Sequence, residues 1–217
     1  MIEAILFDAE GVVIDSEAIW DKGQIVFLEK RGITYDREKV KPLLTGQSMI
    51  DGVRIMKSLS GYENLVGDDE ILAQERLDIV QELFKKEIAF ISGFEEFHKR
   101  VNGDYKICIA TAMDEKLLKD VDTKLDLTSL FGGNVYSISD VGGKSKCKEN
   151  PDIFLYSAEK LGVNPEKCLV IEDAPHGIDA AKSAGMYCVA INTTYDMNKL
   201  GEADQLVSSF SEIKIPR

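Results

Sequence analysis

Five short apolar, β-rich runs recur along the 217-residue chain, at Ile2–Phe7, Tyr105–Ala110, Val135–Ile138, Cys168–Ile171 and Tyr187–Ile191, with longer helix-like stretches between most of them. A strand that is apolar at successive rather than alternate positions is covered on both faces. Such runs alternating with helices predict an α/β fold built on a parallel sheet. The stretch from Ser16 to Ala89 breaks the alternation, with several helical patterns and no convincing strand. Ser16 suits the N-cap of a helix running towards Arg31, and Gly32 would stop it. Further helices are expected over Met49–Leu59 and Asp69–Ile88, the last acidic at its start with Lys85 and Lys86 near its end, as the helix dipole favours. The chain therefore reads as a sheet core, residues 1–15 and 90–217, with an all-helical insert, residues 16–89, after the first strand.

The 38 Asp and Glu outnumber the 26 Lys and Arg, giving a formal net charge of −12. That field repels nucleic-acid backbones and anionic membrane surfaces, so neither is an expected partner, and an anionic substrate would need local cations or a metal. Nowhere do eighteen apolar residues run together, and the chain starts directly on Met-Ile-Glu-Ala-Ile-Leu-Phe. Both features predict a soluble, cytoplasmic protein. No obligate protein partner is evident. The cysteines, Cys108, Cys147, Cys168 and Cys188, form no CxxC pair, and buried reduced thiols are expected for the three in apolar runs.

In an open parallel sheet, ligands bind beyond the carboxyl ends of the strands. Asp8 and Glu10 follow the first run, Thr111 the second, and Glu172 and Asp173 the fourth. Between the third and fourth lies a loop carrying Lys144, Lys146 and Lys148. Converging on one sheet edge, these residues would supply oxygen ligands for Mg²⁺, a nucleophile and cationic support for a phosphoryl group. Each acid alone reads equally well as a solvated charge. Their recurrence after separate strands is what points to a site. Of the two histidines, His98 lies in the amphipathic pattern Phe94–Val101 and is expected at the surface or its boundary, while His176 follows Glu172-Asp173 closely. Trp20 and Phe27, about two helical turns apart, are expected in the core of the insert.

Asp8-Ala9-Glu10-Gly11-Val12, Ile109-Ala110-Thr111, Lys148-Glu149-Asn150-Pro151-Asp152 and Val170-Ile171-Glu172-Asp173-Ala174-Pro175-His176-Gly177-Ile178 occur in that order. They resemble the four ordered motifs of the haloacid dehalogenase superfamily. More narrowly, the chain is similar to the β-phosphoglucomutase-like phosphatases, whose helical cap is inserted after the first strand. The resemblance runs from about Met1 to Ile191. It implies a Rossmann-like core, a cap formed by residues 16–89, and a Mg²⁺-dependent phosphatase acting on a small phosphorylated metabolite, with a sugar phosphate as the expected class.

The resemblance also implies roles. Asp8 would attack phosphorus and carry an aspartyl phosphate that water then hydrolyses, and a carboxylate needs no deprotonation at pH 7 to do so. Mg²⁺ would be held by Asp8, the backbone carbonyl of Glu10 and Asp173, with Glu172 close by. Thr111 would donate its hydroxyl to a phosphoryl oxygen beside the backbone N–H of Ala112. Lys148 would bridge Asp8 and the phosphoryl group. Counting back from Pro151-Asp152 selects Lys148, whereas counting forward from Ser139-Asp140-Val141 arrives near Lys144. The helix expected to begin near Pro151 anchors the first count.

Glu10 stands where the family's phosphatases carry an aspartate that protonates the leaving oxygen. Three readings follow: a working phosphatase with an adjusted backbone or substrate, a slow phosphometabolite-binding or regulatory protein, and a sugar phosphomutase. Leu44–Asp51 resembles the cap loop on which the mutases carry an arginine near the place of Met49. Arg54, about one turn further on, would replace it only if turned inward. Hydrolysis is therefore favoured over phosphoryl relocation.

Overall fold

The computed structural model describes residues 1–44, 47–143 and 150–216. The chain divides into two compact units, Met1–Asp15 with Ala89–Arg217, and Ser16–Ile88. In the first, strands β1 (Ala4–Phe7), β2 (Lys106–Thr111), β3 (Val135–Ser137), β4 (Cys168–Glu172), β5 (Tyr187–Ile191) and β6 (Gln205–Val207) form one sheet in the order β3-β2-β1-β4-β5-β6. Every neighbouring pair is parallel. This is the Rossmann-like strand order, and β1 lies where it reverses, between β2 and β4. The five strands expected from the apolar runs form. β6 was not expected, because an edge strand of three residues with only Val207 buried leaves almost no apolar signal.

Helices α1 (Glu17–Glu29), α2 (Arg37–Leu44), α3 (Met49–Lys57) and α4 (Asp69–Glu87) belong to the second unit. Helices α5 (Phe94–Val101), α6 (Glu115–Leu125), α7 (Leu127–Leu130), α8 (Asp152–Leu161) and α9 (Pro175–Ser183) belong to the first. Successive strand residues point to opposite faces of a sheet, and both faces are covered here. Leu6, Cys108, Val170 and Cys188 share a buried cluster with Phe154 of α8 and Ile178 and Ala181 of α9. On the other face, the Phe7 ring meets Phe94 and Phe131 edge-on, with centroids 5.9 and 5.6 Å away. Each fully buried Leu, Val, Ile or Phe among them contributes about 1.5–3 kcal/mol relative to exposure, so the two layers fix where the strand ends point.

His98 corrects an expectation. It is only 4% exposed, at the edge of the aromatic layer, 5.4 Å from the Phe131 ring. Its Nε2 lies 3.1 Å from the Leu130 carbonyl. A carbonyl can only accept, so Nε2 carries the hydrogen of the neutral ring. Burial pushes the imidazole pKa below its usual value, with the Leu130 carbonyl acting weakly the other way. The spacing carried the signal, for His98 is four residues from Phe94 and shares its helical face. Cys108, Cys168 and Cys188 are buried and in no disulfide, as expected. Burial raises the Cys108 thiol and pushes Cys168 up to about 11. Cys147 lies outside the described residues.

In the helical unit, Ser16 stands at the N-cap of α1 but makes no capping bond with its side chain. Its backbone is helical, at φ −91° and ψ −19°, rather than extended as a capping side chain requires. Gly32, at φ 66°, closes the other end. Its N–H donates to Glu29 and that of Ile33 to Leu28, the paired bonds of a glycine-terminated helix. Helix α2 was not expected, since Pro42 lies inside it and Val40 is its only buried residue. Asp68 caps α4, accepting from the N–H groups of Glu70 and Ile71. Phe27 is fully buried among Leu28, Val40, Val53 and Met56, while Trp20 is half-buried and meets Phe84 edge-on. Close packing of α1 against α4 needs Gly23, where a Cβ would come within 2.6 Å of Val80 Cγ2.

Candidate active site

Asp8, Thr111 and Glu172-Asp173 stand at the carboxyl ends of the three adjacent strands β1, β2 and β4. The ladder extends beyond β1, because the Asp8 N–H donates to the Ile171 carbonyl at 3.0 Å. Asp8, Glu172 and Asp173 are 6%, 0% and 5% exposed. Each offers a carboxylate oxygen, and the three oxygens lie within 4.8 Å of one another. Three carboxylates so close in a low-dielectric site repel strongly, and a cation relieves them. All the donors are hard oxygens, the set that a Mg²⁺-like ion takes.

Local backbone geometry builds this arrangement. Residues 8–14 form a knot in which the Val13 and Ile14 N–H groups donate to Ala9, and that of Gly11 to Ile14, each at 2.9 Å. Gly11 sits at φ 72°, and a Cβ there would lie 1.9 Å from Asp173 Oδ2. Only glycine serves both the turn and the neighbouring carboxylate. Glu172 turns its carboxylate back on its own chain, where Oε2 accepts from the N–H groups of Asp173 at 3.1 Å and Ala174 at 3.2 Å. Thr111 is 1% exposed, and its Oγ1 accepts from the Met113 N–H at 3.1 Å. With that lone pair engaged, the hydroxyl hydrogen remains to be donated elsewhere. Half-buried Ala112 follows, and Asp114 caps α6 by accepting from Lys116 and Leu117.

The model of the haloacid dehalogenase-like hydrolases matches residues 2–185, a span holding all of these residues. The chain belongs to that family. A Drosophila melanogaster protein named "probable pseudouridine-5'-phosphatase" is 30% identical over 96% of the chain and 90% of its own length. The phosphorylated carbohydrates phosphatase of Thermotoga maritima is 28% identical over 85% of the chain and 82% of its own. Among solved structures, the β-phosphoglucomutase of Clostridium difficile superposes with a TM-score of 0.73 at 27% identity, covering 99% of this chain and 94% of that one.

Within this hydrolase, then, Asp8, Glu172 and Asp173 are gathered tightly, with Thr111 on the adjoining strand. The Glu10 side chain is not one of the trio. It is half-buried, and its backbone bridges to Ile14. Lys144, Lys146 and Lys148 lie outside the described residues, as do Thr45 and Gly46. His176 is exposed on the first turn of α9. One contact was missed in the sequence: the Thr193 hydroxyl, after β5, donates to the Gly11 carbonyl. Its only sequence signal is its place after a strand, beside the residues that were singled out.

Proposed function

We propose that this hydrolase is a Mg²⁺-dependent phosphatase of small phosphorylated metabolites, a sugar phosphate being the favoured class. The observation that carries the reading is the buried trio of Asp8, Glu172 and Asp173, next to the strand that ends in Thr111. Asp8, the Glu10 carbonyl, Asp173 and Glu172 would hold the ion, whose chemistry when bound is to neutralise the approach of a phosphate dianion to a carboxylate. Asp8 attacks phosphorus in line, the P–O bond to the leaving group breaks, and the phosphoryl group passes to Asp8 as an aspartyl phosphate. Glu10 gives its proton to the departing oxygen, then takes one from the water that releases phosphate and regenerates Asp8. Thr111 and the Ala112 N–H donate to the phosphoryl oxygens, with Lys148 as the counter-charge.

The relatives named as phosphatases support hydrolysis, and the Thermotoga protein's name supports a carbohydrate phosphate. Relocation of a phosphoryl group needs a fixed cation for a second phosphate. Arg54 is exposed and already paired with Asp51 and Asp69 at 3.2 and 3.1 Å, which counts against that role. The second reading, a slow phosphometabolite-binding protein, rests on Glu10, whose carboxyl has an extra methylene of reach. A panel of phosphorylated metabolites decides between them. Phosphate release with Mg²⁺ supports the phosphatase, and saturable binding without release supports the second reading.

A further inference from the structure

Gly177 is the third residue of α9, and its backbone is ordinary helix, with no positive φ to favour glycine. Alanine is the better helix former, so glycine here needs another cause. A Cβ at 177 would lie 2.0 Å from Glu172 Oε1, 2.1 Å from its Cδ and 2.4 Å from its Oε2. All three overlaps involve one carboxylate, and moving it aside would cost the bonds that hold it. Glu172 is 0% exposed, and its Oε2 already accepts the N–H groups of Asp173 and Ala174. We infer that Gly177 is a positioning residue for the metal-binding trio: the missing side chain is the space in which the Glu172 carboxylate sits. Gly11 faces Asp173 in the same way, but its positive φ would confound a substitution there, which makes Gly177 the cleaner probe.

The inference rests on the reading that the trio binds Mg²⁺. A methyl at 177 drives the Glu172 carboxylate out of its seat and breaks its two backbone bonds. Shortening the intruding side chain by one methylene relieves the overlap, whereas removing its charge at constant length does not.

The test is calorimetric titration of Mg²⁺ into the full chain, with circular dichroism reporting the fold. Gly177→Ala is expected to weaken Mg²⁺ binding about tenfold or more, the scale on which lost support around a metal is felt. Gly177→Ala/Glu172→Asp is expected to bind more tightly than Gly177→Ala alone, and Gly177→Ala/Glu172→Gln is not. Should Gly177→Ala fail to fold, a folded, Mg²⁺-binding Gly177→Ala/Glu172→Asp protein supports the inference, and failure of both overturns it. Binding by Gly177→Ala within twofold of the unsubstituted chain, or simple addition of the Gly177→Ala and Glu172→Asp losses, also overturns it. A chain that binds no Mg²⁺ before any substitution overturns the metal reading itself, and so separates the two failures.

Discussion

The hydroxyl of Thr193 donates to the backbone carbonyl of Gly11, tying the loop after β5 to the knot that follows β1. That knot carries Asp8 at one end and Glu10 in its middle, so the bond restrains both carboxylates without touching either. Thr193→Val keeps the shape and removes the donor. Stability is expected to fall by only about 1 kcal/mol, since Thr193 is exposed. Turnover is expected to fall more, by about tenfold, because sub-ångström misplacement of reacting groups is costly. Urea unfolding and steady-state kinetics on one aryl phosphate check the two numbers, and equal small effects on both would remove Thr193 from any positioning role.

Glu10 tests whether the longer acid does the proton transfer. Glu10→Asp is expected to preserve or raise hydrolysis, and Glu10→Ala to lower kcat by a factor of about 10² or more, the usual size of a general acid–base contribution. The loss should shrink on substrates with acidic leaving groups, which need no proton. An unaffected Glu10→Ala protein would leave only its backbone in the mechanism.

His98 should make stability fall on mild acidification. Burial holds its folded pKa below the unfolded value of about 6.5. Between those two values the unfolded chain binds more protons than the folded one, so the stability that His98 contributes is complete above about 6.5 and is lost as pH falls through the folded value. His98→Gln can keep the bond to Leu130 without titrating. Its unfolding free energy should therefore decline less between pH 7 and pH 5 than that of the unsubstituted protein. Parallel declines would contradict the assignment.

Arg76 of α4 is buried, with its Nε on Gln24 Oε1 at 3.1 Å, and burial pushes its pKa down from 12.5 to about 10. Such a shift corresponds to about 3 kcal/mol against the charged form. Arg76→Met keeps the length and removes the charge, but leaves the buried Gln24 oxygen short of a donor, at about 1–3 kcal/mol. The variant is expected to be no less stable, and up to about 2 kcal/mol more stable, in urea unfolding. A less stable variant would show that the guanidinium is well solvated or paired.

The parts of this molecule that could be read from sequence are those where one physical cause dominates. β1, β2, β4 and β5 are buried on both faces, so nothing competes with their apolar runs, and Asp8, Thr111, Glu172 and Asp173 follow from where those runs stop. Helix α2 and strand β6 bury one residue each, Val40 and Val207, and were invisible for that reason. His98 was misjudged because a polar residue on a helix defaults to the surface unless its i−4 neighbour, Phe94, is weighed. The roles of Gly11 and Thr193 depend on contacts between elements distant in sequence, while that of Gly177 depends on how the strand-to-helix turn folds it back against Glu172, and no local pattern carries them.

The central claim is that Asp8 takes a phosphoryl group with the help of Mg²⁺. The most direct measurement is release of an aryl alcohol from its phosphate monoester by the purified chain and by Asp8→Asn, each with Mg²⁺ and with a chelator. Turnover that requires Mg²⁺ and falls by at least about 10³-fold in Asp8→Asn is the predicted result. Turnover that survives either the chelator or the substitution would contradict it.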